Sequence, residues 1–195
     1  MGILGGSFNP PHLGHLVMAQ EAHSQLGLDV VVLMPVASPP HKEMDGDPGA
    51  EARLRMCELA VAKDDRFAVS RLEVDRGGPS YTVDTLRRIH EAAPGDDLTF
   101  IVGGDMAHSL PAWREPEAVL ELATVAVGER DGAARDEVAE RVASLAGADR
   151  VRFFDMPRIG VSSTDVRRRV RELRPIRYLV PDDVVRAIGA EGWYR

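Results

Sequence analysis

Short apolar runs rich in Val, Ile and Phe alternate along the chain with longer stretches whose apolar residues recur every three to four positions. The first pattern is that of buried strands, the second that of helices packed on a sheet. Strands are expected at residues 2–5, 30–35, 67–72, 99–103, 124–127 and 151–155. Helices are expected at about 14–26, 50–62, 83–93, 115–122, 135–146, 163–172 and 182–190. In the first helix Leu16, Ala19, His23 and Leu26 share one stripe, as a helix lying on a sheet requires. The regular alternation predicts βαβ units and a parallel sheet in a doubly wound, three-layer α/β/α fold. Without an internal repeat or low-complexity segment, the 195 residues read as one domain, 1–195.

Composition narrows the function classes. A hydrophobic fraction of 44% and a charged fraction of 28% are those of a folded globular chain. One cysteine, Cys57, excludes an internal disulfide and a Cys-rich zinc site. The chain opens directly on a strand, and no run reaches the 18 apolar residues of a membrane span, so the expected location is the cytoplasm, away from membranes. Net charge is −7, which provides no global field for nucleic acid. The charge is uneven, however: residues 158–177 hold seven arginines against Asp165 and Glu172. This stretch is either an anion-binding face or a solvated helix face.

Chemistry concentrates in two segments. The first strand runs into Gly5-Gly6-Ser7-Phe8-Asn9-Pro10-Pro11-His12-Leu13-Gly14-His15. Here glycines permit close backbone approach, prolines stiffen the loop, and two histidines three apart share one face at the mouth of a helix. Gly14 removes a side chain between them, leaving space for a flat base or sugar. A metal site would need a third ligand, and HExxH is absent; capping or packing histidines are the other structural reading. Neither GxxxxGKS/T nor GxGxxG is present, so phosphate must be held in another way. Ser162-Ser163-Thr164 before an amphipathic run reads as a helix N-terminus, an anion site with Arg167 one turn inside.

Together, GGSFNPPHLGH and Val161-Ser162-Ser163-Thr164-Asp165-Val166-Arg167 resemble the HxGH and ISSTxIR signatures of the nucleotidyltransferase superfamily, with its Rossmann-like fold. Within it the chain resembles the bacterial nicotinate-mononucleotide adenylyltransferases. Four further segments carry that likeness: Pro39-Pro40-His41-Lys42, 78–86 (GPSYTVDTL), Ile101-Val102-Gly103-Gly104-Asp105-Met106 and Leu110-Pro111-Ala112-Trp113. Ser7 and Asn9 stand where the family more often has Thr and Asp, and 128–132 (GERDG) departs from its RPG-like sequence.

The resemblance implies transfer of AMP from ATP to the 5′-phosphate of nicotinate mononucleotide, giving deamido-NAD and pyrophosphate. It implies ATP contacts from Gly5, Gly6, Ser7, Phe8, His12, His15, Gly103, Asp105, Ser162, Ser163 and Arg167. The acceptor falls to Lys42, Tyr81, Thr82, Trp113 and Arg130, and His12, His15, Lys42 and Arg167 form the catalytic set. No protein metal site is implied; Mg²⁺ would ride mainly on substrate phosphates. Trp113 suits stacking on a pyridine, with core packing as its other reading, and the 80–82 helix start suits a carboxylate. Asp84 reads as structural. A homo-oligomer is compatible with all of this. Rival readings are nicotinamide mononucleotide or phosphopantetheine as acceptor, and a non-catalytic nucleotide-binding protein.

Overall fold

The computed structural model describes residues 1–39, 44–129 and 133–195. Strands β1 (Gly2–Gly6), β2 (Val31–Pro35), β3 (Phe67–Val69), β4 (Thr99–Gly103), β5 (Thr124–Glu129) and β6 (Val151–Asp155) form one sheet in the order β3-β2-β1-β4-β5-β6. Every pairing is parallel. The order reverses beside β1, so the loops leaving β1, β2 and β4 open onto the crevice where doubly wound sheets bind ligands. This is the expected architecture.

Alternation along each strand decides what lies on each face. Ile3, Phe100, Val102, Val125 and Val127 point into one core, beneath α4 (Thr82–Ala92), α6 (Pro116–Leu122) and α7 (Ala133–Val142). Leu4, Ile101 and Ala126 point the other way, against α1 (Leu13–Leu26) and α2 (Ala50–Val61). A third apolar cluster, built on Met56, Val166, Val184, Ile188 and Tyr194, seats α8 (Ser163–Arg171) and α9 (Asp182–Glu191) against α2. The stripe on α1 is shifted from its expected position: Ala19 and Ala22 are buried, and His23 lies at the margin.

Beyond shifts of one or two residues at element ends, three differences from expectation stand out. Strand β3 ends at Val69, three residues short of its expected end, because the Ser70 hydroxyl accepts the Leu72 N–H and starts a short helix, α3 (Leu72–Arg76). Directly after β4 the chain turns into α5 (Gly104–His108), too short to show a periodicity in sequence. The expected 135–146 helix is α7, two residues earlier at its start and ended at Val142.

The C-terminus locks onto the front of the sheet. Buried Tyr194 donates its hydroxyl to Asn9 Oδ1 at 2.8 Å, joining the end of the chain to the β1–α1 loop. Tyr194→Phe leaves that buried oxygen without its donor, which should cost about 1–3 kcal/mol. For a chain of this size that is a fall of roughly 2–4 °C in Tm per kcal/mol, measurable by thermal melting. An unchanged Tm would show that the bond contributes nothing.

Candidate active site

The loop from Ser7 to His12 is held by its carbonyl groups. Arg167 of α8, buried, donates from Nη1 to Asn9 O at 2.8 Å, and Ser163 Oγ donates to Pro10 O at 2.9 Å. On the other side Arg53 of α2, fully buried, donates to Ser7 O at 3.0 Å. Such carbonyls need partners, and here two guanidinium groups and a hydroxyl supply them from distant parts of the chain. The result brings the N-termini of α1 and α8 to one loop. Ser162 caps α8, accepting the Asp165 N–H at 3.1 Å, as its sequence predicts.

The two histidines occupy the first turn of α1. His12 is the N-cap residue, and its backbone N–H donates to His15 Nδ1 at 3.2 Å. The imidazoles stack with centroids 3.7 Å apart, and Phe8 stands edge-on to His15 at 4.9 Å. Because Nδ1 accepts, the His15 proton resides on Nε2, which leaves that nitrogen as a donor. Burial pushes the His15 imidazole well below its usual pKa, and the adjacent His12 adds to the shift. Capping and chemistry are therefore not alternatives: the same pair caps the helix and presents an N–H.

The glycines and Phe8 correct the sequence reading. Gly5 and Gly6 are the last residues of β1, which runs one residue beyond its expected end. A Cβ at Gly5 would come within 3.1 Å of Phe100, at Gly6 within 3.2 Å of Phe8, and at Gly14 within 3.1 Å of the His12 ring. At Gly14, where a gap for a flat base or sugar was expected, the His12 ring stands. Phe8, at 1% exposure, is a core side chain that buttresses His15, so only its backbone can face a nucleotide. Gly103 caps α5 at the end of β4, and Asp105 lies exposed in that helix's first turn.

On the acceptor side, Tyr81 is the N-cap of α4 and Thr82 its first residue. The helix has no side-chain cap, so its first amides remain available to a carboxylate. Arg114 stacks 5.0 Å over the Tyr81 ring and pairs with Asp84 at 3.3 Å; α4 has no side-chain cap, so Asp84 does not take the capping role its sequence position allows. Trp113 donates from Nε1 to Ser109 Oγ at 2.9 Å and stands edge-on to Phe100 at 6.0 Å, half-buried against the core. Its packing role is thus realised, with part of the ring still exposed. Lys42 and Arg130 lie outside the described residues.

The arginine run divides. Arg167 turns inward, whereas Arg168 and Arg169 pair with Asp165, Arg171 with Asp45, Arg174 with Glu172 and Arg177 with Asp182 on the surface. Among the described residues no group of three or more His, Cys, Asp or Glu side chains is placed to hold a metal ion. No helix there is long and apolar enough to cross a membrane.

Sequence reasoning passed over Arg53 and the Glu73–Thr85 pair, in which the Thr85 hydroxyl donates to buried Glu73 Oε1 at 2.6 Å beside the start of α4. Arg53 had a readable signal, since a charge at 53 shares a helix face with Met56 and Cys57. The tie between Asn9 and Tyr194 had none, being 185 residues apart in sequence.

Residues 3–169 match the Cytidylyltransferase-like family. A protein of Thermus thermophilus, named a probable nicotinate-nucleotide adenylyltransferase, is 45% identical over 195 residues, covering 100% of this chain and 99% of its own. A protein of a Roseiflexus species with the same name is 44% identical, covering 100% and 98%. The nicotinic acid mononucleotide adenylyltransferase of Plasmodium falciparum, solved as a complex with NaAD, shares the fold at TM-score 0.79 and 16% identity over 99% and 96% of the two chains. The chain therefore belongs to the cytidylyltransferase-like family and, within it, to the nicotinate-nucleotide adenylyltransferases.

Proposed function

We propose that the protein transfers AMP from ATP to the 5′-phosphate of nicotinate mononucleotide, in the synthesis of NAD. An oxygen of that phosphate attacks the α-phosphorus, the bond to the bridging oxygen of the β-phosphate breaks, and deamido-NAD and pyrophosphate form. The observation that carries this reading is the convergence of two helix N-termini, α1 and α8, on the loop after β1, in a chain 45% identical to a relative of that name.

The attacking phosphate is already anionic, so no general base and no covalent nucleophile are required. Catalysis consists of alignment and charge stabilisation. His15 donates from Nε2 to the triphosphate as a neutral imidazole, with His12 beside it. Ser162 and Ser163 present the first turn of α8 to the leaving pyrophosphate, with Arg167 and Lys42 completing the catalytic set. Gly5, Gly6, Ser7, the Phe8 backbone, Gly103 and Asp105 line the ATP side, and Tyr81, Thr82, Trp113 and Arg130 the acceptor. The N-terminus of α4 suits the nicotinate carboxylate better than an uncharged amide. The donors at this end of the sheet are imidazoles, a guanidinium and helix amides, which suit anions. A Mg²⁺ ion would therefore arrive on the phosphates and, when bound, would supply charge neutralisation for the leaving group. The cytoplasm, where ATP is abundant, is the setting this reading requires.

Two outcomes test it. Pyrophosphate release with nicotinate mononucleotide, nicotinamide mononucleotide and phosphopantetheine side by side should favour the first, and a preference for phosphopantetheine would overturn the assignment. Because burial holds His15 neutral, its donor is intact throughout the range above the ordinary histidine value of about 6.5 and is altered only well below it. The profile of kcat/KM should accordingly show no histidine-type decline between about pH 7 and 8.5. A tenfold loss per pH unit there would mean that an imidazolium does the work.

A further inference from the structure

Arg53 contacts more of this end of the sheet than the loop alone. It sits in the first turn of α2 at 0% exposure and points back towards the strand ends. Nη1 donates to Ser7 O at 3.0 Å and to Val36 O at 2.7 Å, Nη2 to Ala37 O at 2.9 Å, and Nε to Asp47 Oδ1 at 2.9 Å. Ser7 opens the loop that carries His12 and His15. Val36 and Ala37 follow β2, whose last residue, Pro35, is in register with Gly6 of β1.

From Ala37 the connection continues to the acceptor side. The Ala37 N–H donates to Ser80 Oγ at 3.1 Å, and the Ser80 N–H donates to Ser38 O at 3.0 Å. Ser80 directly precedes Tyr81, the N-cap of α4. One planar fork therefore joins the main chain of the triphosphate loop to the start of the acceptor helix, through the Ser80 hydroxyl and the backbone bond from Ser80 to Ser38. Because a guanidinium fork is rigid, it fixes an offset that a flexible ammonium would not.

We propose that Arg53 is a positioning residue, whose fork sets the separation between the triphosphate loop and the acceptor-binding start of α4 so that the two phosphates meet in line. The proposal rests on the AMP-transfer reading. Each substrate is still held by its own half of the site when the link is cut, so turnover suffers and the individual affinities do not. A purely structural Arg53 would instead lower Tm and the active fraction together, with no change in turnover per folded molecule.

The test compares Arg53→Lys, Ser80→Ala, Asp47→Asn and the double Arg53→Lys/Ser80→Ala variant with wild type. The readouts are Tm, kcat, KM for both substrates, and calorimetric titration of ATP with and without the mononucleotide. In folded Arg53→Lys, kcat should fall about 10²-fold, the scale of a 1 Å misalignment, while both KM values stay within about threefold. Ser80→Ala should lose about tenfold in kcat, and the double variant should be no slower than Arg53→Lys, since both changes break one chain of contacts. A folded Arg53→Lys variant with kcat within about threefold of wild type overturns the proposal. If that variant does not fold, wild-type kcat in both Ser80→Ala and Asp47→Asn overturns it equally. A wild-type protein that makes no dinucleotide defeats the AMP-transfer reading instead. In that case the Arg53 proposal falls with the reading it rests on, whereas dinucleotide formation by wild type with an unimpaired Arg53→Lys kcat sinks the proposal alone.

Discussion

The β1–α1 loop turns three successive stretches of main chain into the protein interior, and their carbonyls must be paired. Arg53 takes Ser7 O, Arg167 takes Asn9 O and Ser163 takes Pro10 O, while Tyr194 reaches the Asn9 side chain. Burying a guanidinium is costly unless its N–H groups are used; Arg53 uses its own on three carbonyls and a carboxylate, whereas Arg167 is bonded through Nη1 and Nη2 and its buried Nε has no hydrogen-bond partner among the described residues. From that requirement follow the docking of α2 and α8 on the same loop and the return of the C-terminus beneath it. The third apolar cluster, joining Met56, Val166 and Tyr194, fills the space between the helices that these donors bring together.

A loop fixed in this way fixes the chemistry it carries. His12 becomes the N-cap of α1, its N–H selects the His15 tautomer, and Phe8 stands edge-on to the His15 ring. Stacked rings 3.7 Å apart cannot readily both be charged, so a neutral donor is the natural outcome. The surface arginines of α8 pair with Asp165 and Asp45, while the inward Arg167 joins Arg53 as a guanidinium at the loop. Net charge, negative overall, says little about a site assembled from a few buried donors.

Much of this was legible in the sequence because it is local. Strand and helix periodicity predicts the doubly wound sheet, HLGH at a helix start places two imidazoles on one face, and Ser162 before an amphipathic run predicts a cap that the structure contains. The misreadings are of two kinds. Glycines at 5, 6 and 14 do indicate close approach, but sequence cannot say of what, and Phe100, Phe8 and His12 are the neighbours. Short elements such as α3 and α5 lack the length for a period to show. Contacts across the chain, such as Arg53 to Ala37 or Tyr194 to Asn9, depend on the fold itself, and only the anomalous charge on the buried face of α2 hinted at one of them.

Alignment without a covalent intermediate is the central claim, and the stereochemistry at phosphorus reads it directly. With ATP carrying sulfur at one diastereotopic position of the α-phosphate, a single in-line displacement by the mononucleotide phosphate inverts the configuration in the dinucleotide product. Inversion is the expected result; retention would require two displacements through an AMP–enzyme bond, with a histidine such as His15 as nucleophile, and would contradict the account.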